Sequence, residues 1–477
     1  MPTAPGAPGI EDAAALLQMQ RRACALEGPP DLRLRRDRLD RALALLVAHQ
    51  AEIASAAAED FGRRPAALTR LMDVMPAVLE LRHARRSLRR WMRARPVRPR
   101  LPAGAPGTQA GIVCQPLGVV GVISPWNFPI TLSFGPLAGI LAAGNRCLLK
   151  PSELTPALAA LLQRLVGRYF DPRELAVVTG GVEVASAFAG LPFDHLLFTG
   201  STAVGRQVMA AAAANLVPVT LELGGKCPVV IGRTANLARA VDRIMIGKLA
   251  NAGQMCIAPD YVCVPRGQAA EFVRLARAWV ARAYPGMPDD RDYTAIISDR
   301  HLARLEALLA DAAAQGAVTV ELGARPSAPG RLRSPVLVLG ATDAMQIMRE
   351  EIFGPLLPLL EYEELDAAIA AINARPRPLA LYYFGHDRAE QRTLLGRTVS
   401  GGVTVNDVAM HFLVDELPFG GVGASGMGAY HGEHGFRRFS HERAIFRQTR
   451  LDVATLVGLR PPYGARLRAL LRLVVRR

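Results

Sequence analysis

The sequence predicts an α/β fold built from parallel sheets, and three observations carry that prediction. From Gly111 onward, short and almost uninterrupted apolar runs alternate with helical stretches. Strands of that kind are buried on both faces, as happens where helices cover both sides of a parallel sheet. The alternation occurs twice, once up to Leu223 and again from Tyr261, so two α/β units in series is the simplest arrangement. With 477 residues, 50% hydrophobic and 21% charged, the chain is also long enough to bury more than one core.

The elements follow in order. Met1 to Ile10 holds three Pro and two Gly but no basic residue or apolar run, so no secretory signal is expected. Glu11 to Phe61 reads as a helical lead-in, with Leu39, Leu43, Leu46 and Val47 at helical spacing. A helix is predicted from Asp73 to about Met92, with Arg82, Arg85, Arg86, Arg89, Arg90 and Arg93 on one broad face. Pro96 to Gly107 is dense in Pro and Gly and reads as a connector.

Strands are then expected at Gly118 to Ser124, Arg146 to Lys150, Leu175 to Thr179, His195 to Thr199 and Val217 to Leu223. The helix before the third of these should be capped by Thr155, with Pro156 in its first turn and Leu158, Leu161, Leu162 and Leu165 facing inward. The second unit should contribute Tyr261 to Val264, Val318 to Leu322, Val336 to Leu339, Ala380 to Phe384 and Gly402 to Val405. A glycine-rich loop follows Phe419. The tail from Tyr463 to Arg477 places Leu467, Leu470, Leu471 and Val474 on one helical face, with Arg466, Arg468, Arg472, Arg476 and Arg477 around it.

A net charge of +15 would suggest an anionic partner, but its placement argues otherwise. Residues 82–100 carry nine Arg and no acid, residues 443–477 carry nine Arg and one Asp, and the remainder is close to neutral. Aromatics that could stack on bases are almost absent from these stretches, so nucleic acid is not an expected partner. Of the 57 basic residues only Lys150, Lys226 and Lys248 are lysines. A lysine that survives such a bias marks a place where a compact ammonium is needed. The six cysteines form no CxxC pair, which fits reduced thiols in a cytoplasm and gives no support to a metal site. No run approaches the ~18 apolar residues of a membrane span.

Several segments carry chemistry. Asn251-Ala-Gly-Gln-Met-Cys256 sets a thiol after a helical stretch and beside a glycine; it is a nucleophile or, alone, a small core residue. Leu221-Glu-Leu-Gly-Gly-Lys226 places Glu222 between apolar neighbours at a strand end, where a raised pKa would suit a general base; an exposed acid is the plain alternative. Ser124-Pro-Trp-Asn-Phe-Pro129 offers the Asn127 amide in a loop after a strand, where open α/β sheets bind ligands. Phe198-Thr-Gly-Ser-Thr-Ala-Val-Gly205 reads as strand, glycine turn and helix start, whose N–H groups could meet a pyrophosphate. Glu350-Glu-Ile-Phe-Gly-Pro355 and Pro418-Phe-Gly-Gly-Val-Gly423 are further turns.

These six segments, in this order and spacing, resemble the aldehyde dehydrogenase superfamily over about residues 35–450. Leu417-Pro-Phe-Gly-Gly-Val-Gly-Ala-Ser-Gly-Met-Gly-Ala-Tyr-His-Gly432 and Gly401-Gly-Val-Thr-Val-Asn406 are most similar to the class 3 group and its coniferyl aldehyde dehydrogenases. The resemblance implies that Cys256 attacks the aldehyde, that Asn127 and the Cys256 N–H hold the oxyanion, and that Glu222 activates water against a thioester. It implies a Rossmann-type cofactor domain (residues 1–97 and 118–224), a catalytic domain (225–424), an oligomerisation element (98–117 and 425–450) and a basic tail (451–477). Trp126 and Ser201, with Gly200, Thr202 and Gly205 in the turn, would lie near the cofactor phosphates. Lys150 and Glu153 would reach the adenosine ribose, and Glu351 and Phe353 the nicotinamide ribose. A carboxylate at the ribose favours NAD, with NADP as a second cofactor.

An aromatic aldehyde such as coniferaldehyde is the substrate this implies. Oxidation of medium or long-chain fatty aldehydes is the alternative, and a non-catalytic protein binding nucleic acid or membrane on the same fold is the alternative of a different class. A CoA-acylating enzyme is disfavoured by Glu222. A homodimer is implied, and the tail would touch a membrane, cap the substrate funnel or dock on its own subunit. Phe128, Met255 and Cys227 stand where Tyr, Thr and Ser are usual in the family. His411, His431 and His434 are expected in loops or packing.

Overall fold

A computed structural model describes residues 10–99, 107–324, 330–449, 453–456 and 458–475. The first ten positions apart from Ile10, much of the connector, and Arg476 and Arg477 lie outside the described residues.

The lead-in folds as three helices, Ile10–Glu27, Leu32–Ala48 and Gln50–Phe61. Asp31 caps the second, accepting from the Leu34 N–H at 2.8 Å, and Gly62, at φ 72°, ends the third. Leu39 and Leu46 are fully buried, whereas Val47 faces outward. The predicted 73–92 helix spans Met75–Trp91 and is entered through a π-helical turn, Arg70–Val74. Ala77, Leu81, Ala84, Leu88 and Trp91 form its buried stripe, and the six predicted arginines are exposed.

The strands assemble into three sheets. In the first, β3 (Val119–Ile123), β4 (Arg146–Lys150), β5 (Leu175–Val177), β6 (His195–Thr199) and β7 (Val219–Glu222) run parallel, and β15 (Gly426–Met427) adds antiparallel to β7, in the order β15-β7-β6-β3-β4-β5. The order reverses at β3, which opens a crevice beyond its carboxyl end. The second sheet holds β8 (Pro228–Ile231), β9 (Tyr261–Pro265), β10 (Val318–Glu321), β11 (Val336–Leu339), β12 (Leu356–Tyr362), β13 (Ala380–Phe384) and β14 (Gly402–Val405), in the order β10-β11-β12-β9-β8-β13-β14. Only β10 is antiparallel to its neighbour. The third sheet is an antiparallel ribbon of β1 (Arg95–Val97), β2 (Gln109–Pro116) and β16 (Ser440–Arg447).

All ten predicted strands are present. Three features differ from expectation. β1 lies at the edge of the predicted connector, with Pro96 tolerated on an outer strand. β12 runs centrally despite Pro358, which stands just before Leu359, the first residue paired with β9. Thr155 occupies the N-cap of Pro156–Tyr169 without capping it: its hydroxyl donates to the Ser152 carbonyl, and Asp60, from the third lead-in helix, accepts from Ala157 N and Leu158 N at 2.9 and 3.0 Å. The tail forms the helix Ala465–Val474, none of whose residues is buried, so it does not dock on its own subunit as a packed element.

Candidate active site

The crevice is lined from several elements. Trp126 and Asn127 follow β3, Gly200, Ser201 and Thr202 follow β6, and Glu222 is the last residue of β7. The second sheet's side supplies Cys256, Glu351 and Phe353, closing a cleft of about 780 Å³. Nine of the twelve predicted site residues therefore meet in one cavity. Gly205, Lys150 and Glu153 are not among its lining. Gly205 packs its helix against β7's extension, where a Cβ would stand 2.6 Å from Leu223 Cδ2. Lys150 is fully buried, donates to the Pro151 carbonyl at 2.7 Å and stands 3.8 Å from Glu153.

The turn before Cys256 is unusual. After the helix Leu237–Leu249, Asn251 and Ala252 take φ of 50° and 53°, and Gly253 takes 76°. A Cβ on Gly253 would lie 2.3 Å from the Gly354 carbonyl oxygen, so only glycine lets the two segments touch. The result is that Cys256 alone, from Asn251 to Asp260, is not buried.

Asn127 is held on both its amide and its backbone. Its Nδ2 donates to the Gln254 carbonyl at 3.2 Å, and its own carbonyl accepts from Asn251 Nδ2 at 3.2 Å and Arg64 Nη1 at 2.7 Å. Gln254, fully buried, donates to the carbonyls of Asn251 and Ala295 and accepts from Ile297 N. The Asn127 amide is thus fixed against the cysteine loop.

Burial dominates the electrostatics. It pushes the Cys256 thiol up to about 12, with the Glu351 and Glu222 carboxylates adding to the shift. Glu222 is raised well above the carboxylate range by burial, and neither of its oxygens has a hydrogen-bond partner among the described residues. Glu351 is raised to about 8 by burial and then by Asp260. A carboxyl held neutral beside a thiol, with no fixed partner, is free to turn toward water or a reacting group.

Sequence reasoning missed several supporting groups. Lys226 donates to Asp260, to the Ile347 carbonyl at 2.6 Å and to the Glu350 carbonyl at 3.0 Å, while Asp260 Oδ2 accepts from Ile352 N at 2.9 Å. Together they fix the strand of chain bearing Glu351. Lys248 is buried and lowered to about 8 by desolvation, facing Asp260, Lys226, Cys227 and Glu351. All three lysines are buried, so their scarcity was the usable signal. Tyr430 is buried, and its hydroxyl has no partner among the described residues. His411 and His431 are buried and shifted down to about 4 and about 3 by burial, and His431 stacks on Phe419 at 5.3 Å; His434 is exposed.

The cleft suits an anionic, ribose-bearing ligand. Arg206, Arg304, Arg349, Arg375 and Arg377 line it, and the buried Thr199 hydroxyl has no partner among the described residues. Ser201 caps the helix Thr202–Ala213 through Val204 N at 3.3 Å, so the positive end of that helix faces the cleft beside Gly200. Among the described residues no cluster of His, Cys, Asp and Glu could hold a metal, and no helix is long and apolar enough to cross a membrane.

The sequence model of the aldehyde dehydrogenase family matches residues 20–445. The chain is 48% identical over 475 residues to the coniferyl aldehyde dehydrogenase of a Pseudomonas species, covering 98% of each. Its structure is similar to the substrate-bound state of Staphylococcus aureus AldH, with TM-score 0.90 and 35% identity, covering 96% of this chain and 98% of that one. It is also similar to a Mycobacterium tuberculosis aldehyde dehydrogenase complexed with NAD+, with TM-score 0.83 and 28% identity, covering 94% and 92%.

Proposed function

This chain belongs to the aldehyde dehydrogenase family, and from that premise we propose that it oxidises an aromatic aldehyde of the coniferaldehyde type to its carboxylic acid, through Cys256. One observation carries the assignment of roles: the single unburied residue of the 251–260 segment is a thiol that shares a cleft with an unpartnered buried carboxylate and a fixed amide. Those are the groups that addition to a carbonyl and later hydrolysis require.

The Cys256 sulfur, as thiolate, adds to the aldehyde carbon, and the resulting oxyanion takes hydrogen bonds from the Asn127 amide and the Cys256 N–H. When bound, NAD or NADP supplies the acceptor for the hydride that leaves that carbon. Glu222 takes a proton from water as the water attacks the thioester on Cys256, and the acid departs with the thiolate restored. Because Cys256 is shifted upward, its proton has to leave before attack, and the unpartnered Glu222 oxygens are suited to receive it.

For the cofactor we assign the Gly200, Ser201, Thr202 and Gly205 turn with Trp126 to the phosphates, Lys150 and Glu153 to the adenosine ribose, and Glu351 and Phe353 to the nicotinamide ribose. The helix end at Ser201 and the arginines of the cleft support a dinucleotide. NAD is the first choice, and NADP is accepted as well. The free state of all six cysteines supports a reducing, cytoplasmic setting.

The ribbon of β1, β2 and β16 is the proposed dimer contact, because most of β16 is exposed. The uncovered Leu471 and Val474 of the tail, set among arginines, support a peripheral membrane contact. Specificity constants for coniferaldehyde and for a long-chain fatty aldehyde test the substrate. A higher value for coniferaldehyde is expected, and a large preference for the fatty aldehyde would overturn the choice. NADH formation should vanish in Cys256→Ala.

A further inference from the structure

The loop that carries Asn127 is gripped from outside the cleft by a buried ion pair. Arg64 follows the third lead-in helix, and Asp73 sits in the π-helical turn 70–74. Both side chains are completely buried, and Arg64 Nη2 stands 3.6 Å from Asp73 Oδ2. Arg64 Nη1 donates to the Asn127 carbonyl at 2.7 Å, and its guanidinium lies over the rings of Phe61 at 4.7 Å and Phe128 at 5.2 Å. Asp73 Oδ1 accepts from Ile130 N at 2.9 Å and Thr131 N at 2.7 Å, capping the helix Thr131–Ala143, which has no cap of its own.

Burying two charges is costly, and an apolar pair of the same volume would often be at least as stable. Here the pair reaches both ends of one short segment, Asn127 to Thr131. The Asn127 carbonyl that Arg64 holds also accepts from Asn251 on the cysteine side, so one oxygen ties the lead-in helices to the loop bearing Cys256. The π turn is what aims Asp73 inward; such single-turn insertions in helices recur at functional sites. A planar fork is needed to reach the carbonyl and the carboxylate at once, which an ammonium cannot do.

We infer that Arg64 and Asp73 are positioning residues for the oxidation: they set the Asn127 amide at the distance from Cys256 at which it meets the oxyanion. This rests on the reading of Asn127 given above. Neither residue touches the cleft, so their effect passes through Asn127.

The test is a double-mutant cycle on the full-length enzyme, with coniferaldehyde and NAD. Asn127→Ala should lower kcat by about 10²–10³-fold. Arg64→Lys should lower kcat on the order of tenfold, with KM for NAD and aldehyde within about twofold. In the Asn127→Ala background, Arg64→Lys should cost less than about twofold more. Asp73→Asn, which keeps the acceptor for Ile130 and Thr131, repeats the cycle and carries the test should Arg64→Lys fail to fold.

General damage to the fold would give the same fold-loss in both backgrounds, and that result overturns the inference, as does full activity of the variants at both positions. An inactive-site reading fails differently: Asn127→Ala alone would then leave kcat unchanged, and the inference would fall with it.

Discussion

Cys227 donates its thiol hydrogen to the backbone carbonyl oxygen of Cys256 at 3.4 Å, so the residue standing where serine is usual in the family supports the cysteine loop from behind. Cys227 is fully buried, and burial raises its pKa well above that of a free thiol, which leaves it a neutral donor. A hydroxyl could make the same contact. Cys227→Ser is therefore expected to keep kcat within about twofold, whereas Cys227→Val leaves a carbonyl unsatisfied and should cost about 1–3 kcal/mol of stability. Steady-state rates and denaturant unfolding separate the two.

The turn at Gly253 predicts a sharper effect. Its φ of 76° and the 2.3 Å approach to the Gly354 oxygen leave no place for a methyl group. Gly253→Ala should destabilise by about 1–3 kcal/mol or displace the 350–355 segment, and lose most activity. Gly330→Ala, where a Cβ meets nothing within 4 Å, is the matched control. Thermal melting and kcat of both variants check this.

Glu351 gives a pH dependence with a definite sign. Its folded pKa, about 8, exceeds the unfolded value of 4.5. Between these limits the folded state holds a proton that the unfolded chain has released, so its contribution to stability is lost as pH rises from 4.5 to 8. Glu351→Gln removes that loss. The variant should gain stability relative to the parent between pH 5 and pH 8, by about 3 kcal/mol at most. Unfolding curves at the two pH values would show it, and a constant difference would contradict it.

Much of this was legible in the sequence because the governing signals are local. Strands such as Arg146–Lys150 and Ala380–Phe384 are continuous apolar runs between turn residues, and the buried stripe of Met75–Trp91 follows a 3.6-residue period. Cys256, Glu222 and Asn127 announce themselves through the motifs around them. What stayed hidden is set by partners far along the chain. Asp60 rather than Thr155 caps the helix at Pro156, across 97 residues. β2 and β16 are half-exposed strands of a ribbon, without the clean alternation that marks a core strand. Arg64 and Asp73 read as surface charges among other charges, since only the folded chain brings Asn127 and Ile130 to them.

The central claim is that Cys256 carries the acyl group and Glu222 releases it, and a single-turnover experiment on Glu222→Gln tests it most directly. Glutamine keeps the size of the side chain but cannot take a proton from water, so hydrolysis should fall by about 10²–10⁴-fold while thioester formation survives. On mixing with coniferaldehyde and NAD, the account predicts a burst of one equivalent of NADH per Cys256, followed by near silence, with the acyl mass found on the peptide containing Cys256. Sustained turnover at the parent rate, or a burst with no acyl group on Cys256, would contradict it.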